Sequence, residues 1–534
     1  MKAAAHWAVW MMVLTVGGCV VGPNYTPPDV QTPAQWSGLQ PSGATGEHGV
    51  PATQPTADPT DVAAWWKNLN DPTLDSLIAR AAESNLDLRI ATARVREARA
   101  QRSAAASSLW PQIGLSGSYR YSGSSLNAGA KSSGGTGLLK DARNTALSSA
   151  ARSILAGQGV DAGQIASGAV NQIVGKVIDN RLTGGDQPSH RGQNLFQAGF
   201  DASWEIDVFG GAQRGLEAAE ADIEASEEDR RTLIVSLVSE VALNYVQLRG
   251  YQQRLDIALR NIESQQSTVE LTQERLAAGF ASQLEVAQAK TQLATTTSQV
   301  PMLQDGIRQT LYHLSVLLGQ QPDALVAELD QAEAIPASPP AVPVGLPSDL
   351  LRRRPDVRSA ERQLAAATAR IGEAIAELFP KFSLTGSFGS QSRNIDNLFS
   401  CKSLGWAVGP AVSWPIFQGG RIRANIEAQN ARQEQALATY EQTVLIALKE
   451  VEIALSAYSN EQIRRESLKN AVQASRQATE LSTELYTWGR ASFLDLLEAQ
   501  RALYSSEDAL VQSDMAVVTD LIALYKALGG GWEG

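Results

Sequence analysis

LTQERLAAGFASQLEVAQAKTQL, residues 271–293, returns 210 positions later as LSTELYTWGRASFLDLLEAQRAL, residues 481–503. Leu271, Glu274, Gly279, Ala281, Ser282, Leu284, Ala289 and Leu293 are matched by Leu481, Glu484, Gly489, Ala491, Ser492, Leu494, Ala499 and Leu503. In each copy the glycine can take the left-handed conformation that closes one helix, and the serine three residues on suits the N-cap of the next. The stretch therefore reads as a helical hairpin tip, 278–282 in the first copy and 488–492 in the second. A second register, 269 residues apart, carries Asp87, Arg89, Ala91, Leu109, Pro111, Leu115, Gly117 and Ser118 onto Asp356, Arg358, Ala360, Leu378, Pro380, Leu384, Gly386 and Ser387. Two halves share one plan: helix, strand pair, very long helix, glycine turn, returning helix.

Upstream of the first tip, Ala212 to Ala278 reads as one helix of some 67 residues, which at about 1.5 Å per residue would span roughly 100 Å. Ile234, Val241, Leu248, Leu255, Ile262, Val269 and Leu276 recur every seventh residue, a period that implies left-handed supercoiling against neighbours. The second copy keeps Val444 and Val451 but then carries Tyr458, Arg465, Val472, Thr479 and Tyr486, so it should pack more wetly or face a lumen. Pro301 falls inside the first returning helix, where an interior proline kinks; its counterpart is Val511, so the copies should differ there.

Between the helices the period changes to two. In 195–208, Phe196, Ala198, Phe200, Ala202, Trp204, Ile206 and Val208 alternate with Gln197, Gly199, Asp201, Ser203, Glu205 and Asp207. Looser alternation marks 111–121, 381–391 and 404–417. Lengths near ten residues, with Trp110, Tyr121, Trp204, Trp406 and Trp414 at the ends, fit membrane strands with interfacial girdles, and strands of a soluble sheet would alternate equally well. If the four strands lie in a membrane, one chain cannot close a barrel, because open edges leave backbone groups unsatisfied in hydrocarbon. At least two chains must then contribute, and Asp201, Glu205 and Asp207 would line water and bias the lumen toward cations. Ahead of the first strand a helix is predicted from about Thr73 to Leu109, ended by Pro111. Residues 122–194 form a Gly, Ser and Ala-rich insertion without a counterpart at 392–403; Ile165, Ala169, Ile173 and Val177 hint at an amphipathic helix inside it, and a surface excursion is favoured over a pore plug.

The remaining features bound the class. The formal charge of -11 and the absence of a basic stripe exclude nucleic acid as a partner. Lys2, the largely apolar run from Ala3 to Val16, and Val16-Gly17-Gly18-Cys19 read as an export signal over 1–18 ending in a lipobox, with Cys19 lipidated. Cys401 is then left without a partner. Residues 19–64 are rich in Pro, Gly, Thr and Ser and should be extended rather than packed, as a tether or wrapping arm. His48, His190 and His313 have no metal-ligand spacing, and Gly210-Gly211 and Gly419-Gly420 lack a dinucleotide-binding pattern, so no catalysis, metal or cofactor is expected.

Four motifs then carry a resemblance: Gly22-Pro23-Asn24-Tyr25; Trp65-Trp66 with Asp71-Pro72-Thr73-Leu74; Gly345-Leu346-Pro347-Ser348-Asp349-Leu350-Leu351-Arg352-Arg353-Arg354-Pro355-Asp356; and Leu524-Tyr525-Lys526-Ala527-Leu528-Gly529-Gly530-Gly531-Trp532. In these the chain resembles the outer membrane factors, the TolC-like exit channels of tripartite efflux pumps, in their lipoprotein (NodT-type) branch. The resemblance covers nearly the whole chain except 122–194. It implies a mainly α fold with a small transmembrane β part: an internally duplicated α-helical barrel, plus four strands per chain in a 12-stranded trimeric β-barrel. Residues 65–319 and 347–534 would be the two repeats, joined by an equatorial segment, 320–346. It implies a homotrimer, lipid-anchored in the bacterial outer membrane and extending into the periplasm. An adaptor of the membrane fusion type would dock at the tips, Gly279-Phe280 and Gly489-Arg490, and link the channel to an RND-type inner membrane transporter.

Matching the family's periplasmic constriction onto residues 493–501 selects Leu494 and Glu498, with Leu284 and Gln288 as first-copy equivalents that lack the acid. Residues four apart share a helix face, so symmetry would stack an apolar ring beside an acidic one, a dewetting gate beside a charge filter. A coiled-coil role for Leu494 and a solvated face for Glu498 would leave the same pattern. Two other functions compete. A trimeric adhesin would gather its strands at the C-terminus, whereas here they are split between copies; an exit duct for protein secretion lies closer to the exit channel of an efflux pump.

Overall fold

The structure is a computed structural model that describes residues 20–29, 33, 36, 63–123, 192–337 and 347–532, without the side chains of 349–351. Cys19, the signal 1–18, most of the arm 19–64 and most of the insertion 122–194 lie outside the described residues. The chain divides into two compact units.

The first unit contains 102–217 and 369–429 with the N-terminal segment through Asn24. Its centre is a four-stranded antiparallel sheet, β1 Gln112–Ser122, β2 Gln193–Ile206, β3 Lys381–Ser392 and β4 Leu404–Ser413, in the order β1-β2-β3-β4. The register aligns Leu115, Phe200, Phe388 and Trp406 in one row and Gly114, Asp201, Ser387 and Ala407 in the next. Successive rows face opposite ways, so one face is largely aromatic and aliphatic and the other largely Ser, Thr, Gly, Gln and charged, with Arg120 and Lys381 on it as well as Asp201 and Glu205. β4 stops at Ser413, short of the predicted 417, because Pro415 has no N–H for the ladder. β2 likewise ends at Ile206, two residues before the predicted boundary. The Trp204 indole donates to the Leu109 carbonyl (3.0 Å) and the Trp414 indole to the Leu378 carbonyl (2.9 Å), tying each outgoing strand to the helix end that precedes its partner.

The second unit is helical and holds the main core. The helix predicted over 73–109 is two helices, α1 Pro72–Ser84 and α2 Leu86–Ser107. Asn85 breaks it: its side chain caps Leu88 N (2.9 Å) and donates to the Leu317 carbonyl (2.8 Å). The long helices are α3 Gly211–Ala277 and, in the second copy, a helix over Arg421–Thr487. α3 returns through α4 Gln283–Thr297 and α5 Val300–Leu317. Pro301 lies in the first turn of α5, and at Gln299 the backbone reaches only to Thr296 rather than four residues back. A one-turn helix α6, Val326–Leu329, precedes α7 Pro347–Arg353 and α8 Pro355–Ala376, which are separated at Pro355. α9 is Arg421–Thr487, and α10 Phe493–Ala527 runs unbroken past Val511.

Leu74, Leu77, Val241, Tyr245, Leu314, Leu521 and Tyr525 are fully buried together, with Trp65 stacked on Tyr525 at 5.3 Å. Trp36 joins them at 2% exposure. The expectation of an unpacked arm is corrected at that residue, because a buried indole is too large an apolar payload to leave in solvent. Buried Arg249 fixes the stretch that follows α6, donating to the Gln331 carbonyl (2.7 Å) and pairing with Glu333, while its guanidinium lies over the Tyr245 ring. The Trp532 ring lies 4.7 Å from Arg231 and 5.7 Å from Arg358, and both arginines pair with Glu228. Burial outweighs both cations and pushes the Glu228 carboxyl above its ordinary range.

Candidate functional site

Each tip is closed by backbone geometry. Gly279 and Gly489 have φ of 79° and 71°, the left-handed region that glycine alone enters without strain. Phe280 N reaches the Arg275 carbonyl (2.7 Å) and Arg490 N the Leu485 carbonyl (2.8 Å), six-residue closures that satisfy the last orphan carbonyls of α3 and α9. Ser282 and Ser492 then cap α4 and α10 in reciprocal boxes with Glu285 and Asp495. The Ser492 hydroxyl and backbone N–H hold the Asp495 carboxyl below its usual range.

The two tips are cross-linked. Arg275, in the last turn of α3, donates to the carbonyls of Tyr486 (2.9 Å) and Thr487 (3.2 Å), the negative end of α9, and stacks 4.6 Å over the Tyr486 ring. The Tyr486 hydroxyl donates to Glu285 Oε2 (3.1 Å), so the first copy's cap and the second copy's long helix share one carboxylate. Burial, and then the Glu285 charge, push the Tyr486 phenol up; it stays a donor at neutral pH. Beneath lie Val269, Ala289, Phe493, Leu496 and Leu497. Further along, Gln500 donates to Thr268 (2.8 Å), Arg501 to Gln292 (2.6 Å) and Tyr504 to Gln299 (2.8 Å). The predicted wetter seam of α9 is seen at Arg465, paired with Asp514 at 2.5 Å, and at Thr479, which donates to the Ala499 carbonyl.

On α10, Phe493, Leu496, Leu497 and Gln500 turn inward, and Leu494 and Glu498 share the opposite, exposed face; Leu494 is 52% exposed. Leu284 is exposed on α4 and Gln288 half-buried. Phe280 and Arg490 are exposed beside their glycines, and so is Trp488, which sequence reasoning passed over. Arg275 and Glu285 were missed as well. The heptad spacing makes Tyr486 a seam residue, but its partner lies 201 positions away and leaves no local signal.

On the polar strand face, Asp201 accepts from the Ser116 hydroxyl (2.8 Å) and Glu205 pairs with Lys381 (3.2 Å). Asp207 is not on the strand. It follows β2, and its carboxylate accepts from Gln213 N (2.8 Å), which makes it a cap of α3 rather than a third acid of the sheet. A cavity beneath this junction, about 270 Å³, is lined by Glu205, Asp207, Phe209, Glu373 and Lys381 among others. Cys401 is exposed in the β3 to β4 connection.

Residues 77–320 and 346–530 match the family model described as outer membrane efflux protein. The chain is 31% identical over 521 residues to nodulation protein T of Rhizobium leguminosarum bv. trifolii, covering 97% of this chain and 96% of that protein. It is 31% identical over 520 residues to the pyoverdine export outer membrane protein OpmQ of Pseudomonas aeruginosa, covering 97% and 95%. The solved structure of the outer-membrane channel OprN superposes with a TM-score of 0.79 at 34% identity, over 97% of this chain and all of that one.

Proposed function

From the premise that this chain belongs to the outer membrane efflux protein family, we propose that it is the trimeric, lipid-anchored exit duct of a tripartite pump, gated at its interlocked helix tips. An efflux channel of the outer membrane must close its sheet, and among the described residues β1 and β4 each have only one strand neighbour. Copies of the chain provide the missing partners, since an unpaired edge in hydrocarbon costs several kcal/mol per group. Three copies give twelve strands, with the aromatic rows toward lipid and Asp201 and Glu205 toward water. Residues 1–18 are removed and Cys19 carries the lipid. The division into repeats 65–319 and 347–534 around the segment 320–346 belongs to the same reading.

The observation that carries the gate is the shared exposed face of Leu494 and Glu498, one helix turn apart on α10 and just beyond the capped tip. Around a threefold axis that face builds an apolar ring against an acidic one. Leu284 and Gln288 flank it from the first copy. Gly279, Phe280, Gly489 and Arg490, small and tightly turned, seat in a helical hairpin of a periplasmic adaptor, which joins the duct to an RND-type inner membrane transporter. The transporter selects the cargo.

Conductance of the mature protein in a planar bilayer tests this, with wild type set against Leu494→Ser and Glu498→Ala. Small wild-type currents that rise in the Leu494 variant, with cation preference lost in the Glu498 variant, are the expected result. Variants that insert and conduct as wild type does would remove Leu494 and Glu498 from the constriction.

A further inference from the structure

The turn from sheet to long helix is built twice, and the two are covered differently. In the first, Phe209 stacks on Phe379 at 4.5 Å and the N-terminal segment lies across the turn. Val21 N donates to the Phe209 carbonyl (3.1 Å), and a Cβ on Gly210 would stand 2.9 Å from Val20 Cα. Arg214 holds the segment down, donating to the Val21 carbonyl (3.2 Å) and to Asn24 Oδ1 (2.7 Å). The second turn, Trp414-Pro415-Ile416-Phe417-Gln418-Gly419-Gly420, has no such cover among the described residues. Ile416 is 83% and Phe417 90% exposed, and a Cβ on Gly419 or Gly420 would meet nothing within 4 Å.

We propose that Ile416 and Phe417 insert into the interfacial zone of the periplasmic leaflet of the outer membrane, with Arg423 meeting a lipid phosphate. Bilayer lipid would then cover in the second copy what the N-terminal segment covers in the first. Continuity is the first argument. Trp406, Val408 and Val412 are exposed on the apolar face of β4, and Trp414 and Ile416 extend the same alternation beyond the strand. In an outer membrane channel that face meets acyl chains, and tryptophans mark its interface.

Charge is the second argument. Arg421 and Arg423 occupy the first turn of α9, where the helix dipole disfavours cations. Arg421 is compensated by Glu377 at 3.5 Å. Arg423 is exposed and has no protein partner among the described residues. An exposed arginine beside an apolar surface at a bilayer boundary fits the phospholipid phosphate. The proposal rests on the outer membrane placement and not on the gate or on the lipidation of Cys19.

The test uses the full-length channel with Cys401→Ser, carrying Ile416→Cys or Phe417→Cys labelled with a nitroxide, in vesicles of phosphatidylethanolamine and phosphatidylglycerol. Collision with oxygen should dominate over collision with a water-soluble nickel chelate at both positions. Adding Arg423→Gln should shift the depth read from the label at 417. A label reached by the nickel chelate overturns insertion, and one reached by neither probe shows instead that a neighbouring copy covers the turn. An unchanged depth with Arg423→Gln overturns the phosphate contact. Labelling of Cys401→Ser alone would report a free Cys19, which bears on the lipid anchor and leaves this proposal standing.

Discussion

The Arg354 guanidinium donates to the Ala527 carbonyl at 2.9 Å, and Asn85 does the same for Leu317 at 2.8 Å. Positions 85 and 354 differ by 269 and positions 317 and 527 by 210, the two offsets of the repeat. Each bond satisfies an orphan carbonyl at a helix end that then turns through a left-handed glycine, Gly319 or Gly529. One joint is thus built twice from unlike side chains, an amide in one copy and a cation in the other.

Asn85→Ala removes both the Leu88 cap and the donor to Leu317, leaving a carbonyl unpaired. The expected loss is about 1–3 kcal/mol. Arg354→Ala should cost more, because it also removes the partner of Asp356 and Glu450, although the exposure of both carboxylates discounts each pair to about 1 kcal/mol or less. Denaturant unfolding of the purified channel measures both, and equal losses would show that the ion pairs at Arg354 contribute nothing.

Tyr486→Phe keeps the ring under Arg275 and deletes the bonds its hydroxyl makes to Glu285 and Thr272. If the cross-link belongs to the closed form, removing about 1 kcal/mol from it shifts the open fraction roughly fivefold, so single-channel recordings should show more frequent openings at unchanged unit conductance. Arg275→Gln, which loses the helix-end contacts and the ring stacking together, should open the tips further. Wild-type gating in both would place the restraint elsewhere.

Gly22 crosses Gly372 so closely that a Cβ on Gly22 would stand 2.4 Å from Gly372 Cα. Gly22→Val should lift the segment off Arg214 and expose residues 20–29 to protease in the folded protein. Mass spectrometry of limited digests reads this directly, and an uncut segment would mean that Arg214 alone retains it.

Burial, and then the charge of Glu461, push the Asp520 carboxyl above its ordinary value of 3.8. The folded state therefore binds this proton more tightly than the unfolded chain, and Asp520 lowers stability as pH rises from 3.8 through the raised folded value. Asp520→Asn should raise the unfolding temperature at neutral pH, and the gain should vanish as pH falls below 3.8. A gain of equal size at both extremes would assign the effect to packing.

The tips, the strands and the break at Pro301 were legible because glycine, alternation and proline act on their immediate neighbours. The resemblance carried the fold class. What escaped depended on partners far along the chain. Asn85 looks like any polar residue in a helix until Leu317 is beside it, and Asp207 continues the alternation of β2 while its carboxylate serves α3. Nothing in a Pro-rich arm distinguishes Trp36 from a solvent-exposed residue, since the core cluster it joins is assembled from α1, α3, α5, α9 and α10.

The lapse in the helix ladder at Gln299 divides mechanical labour between the repeats. α10 is one rod from Phe493 to Ala527, so a tilt imposed at Leu494 turns Leu521 and Tyr525 in the core with it. The first repeat has a joint in that position, and a push on Leu284 is taken up where α4 meets α5. Of two matched arms, one is a lever with its fulcrum in the core and the other a shock absorber. Force applied at the tips should therefore travel further along the second repeat than along the first.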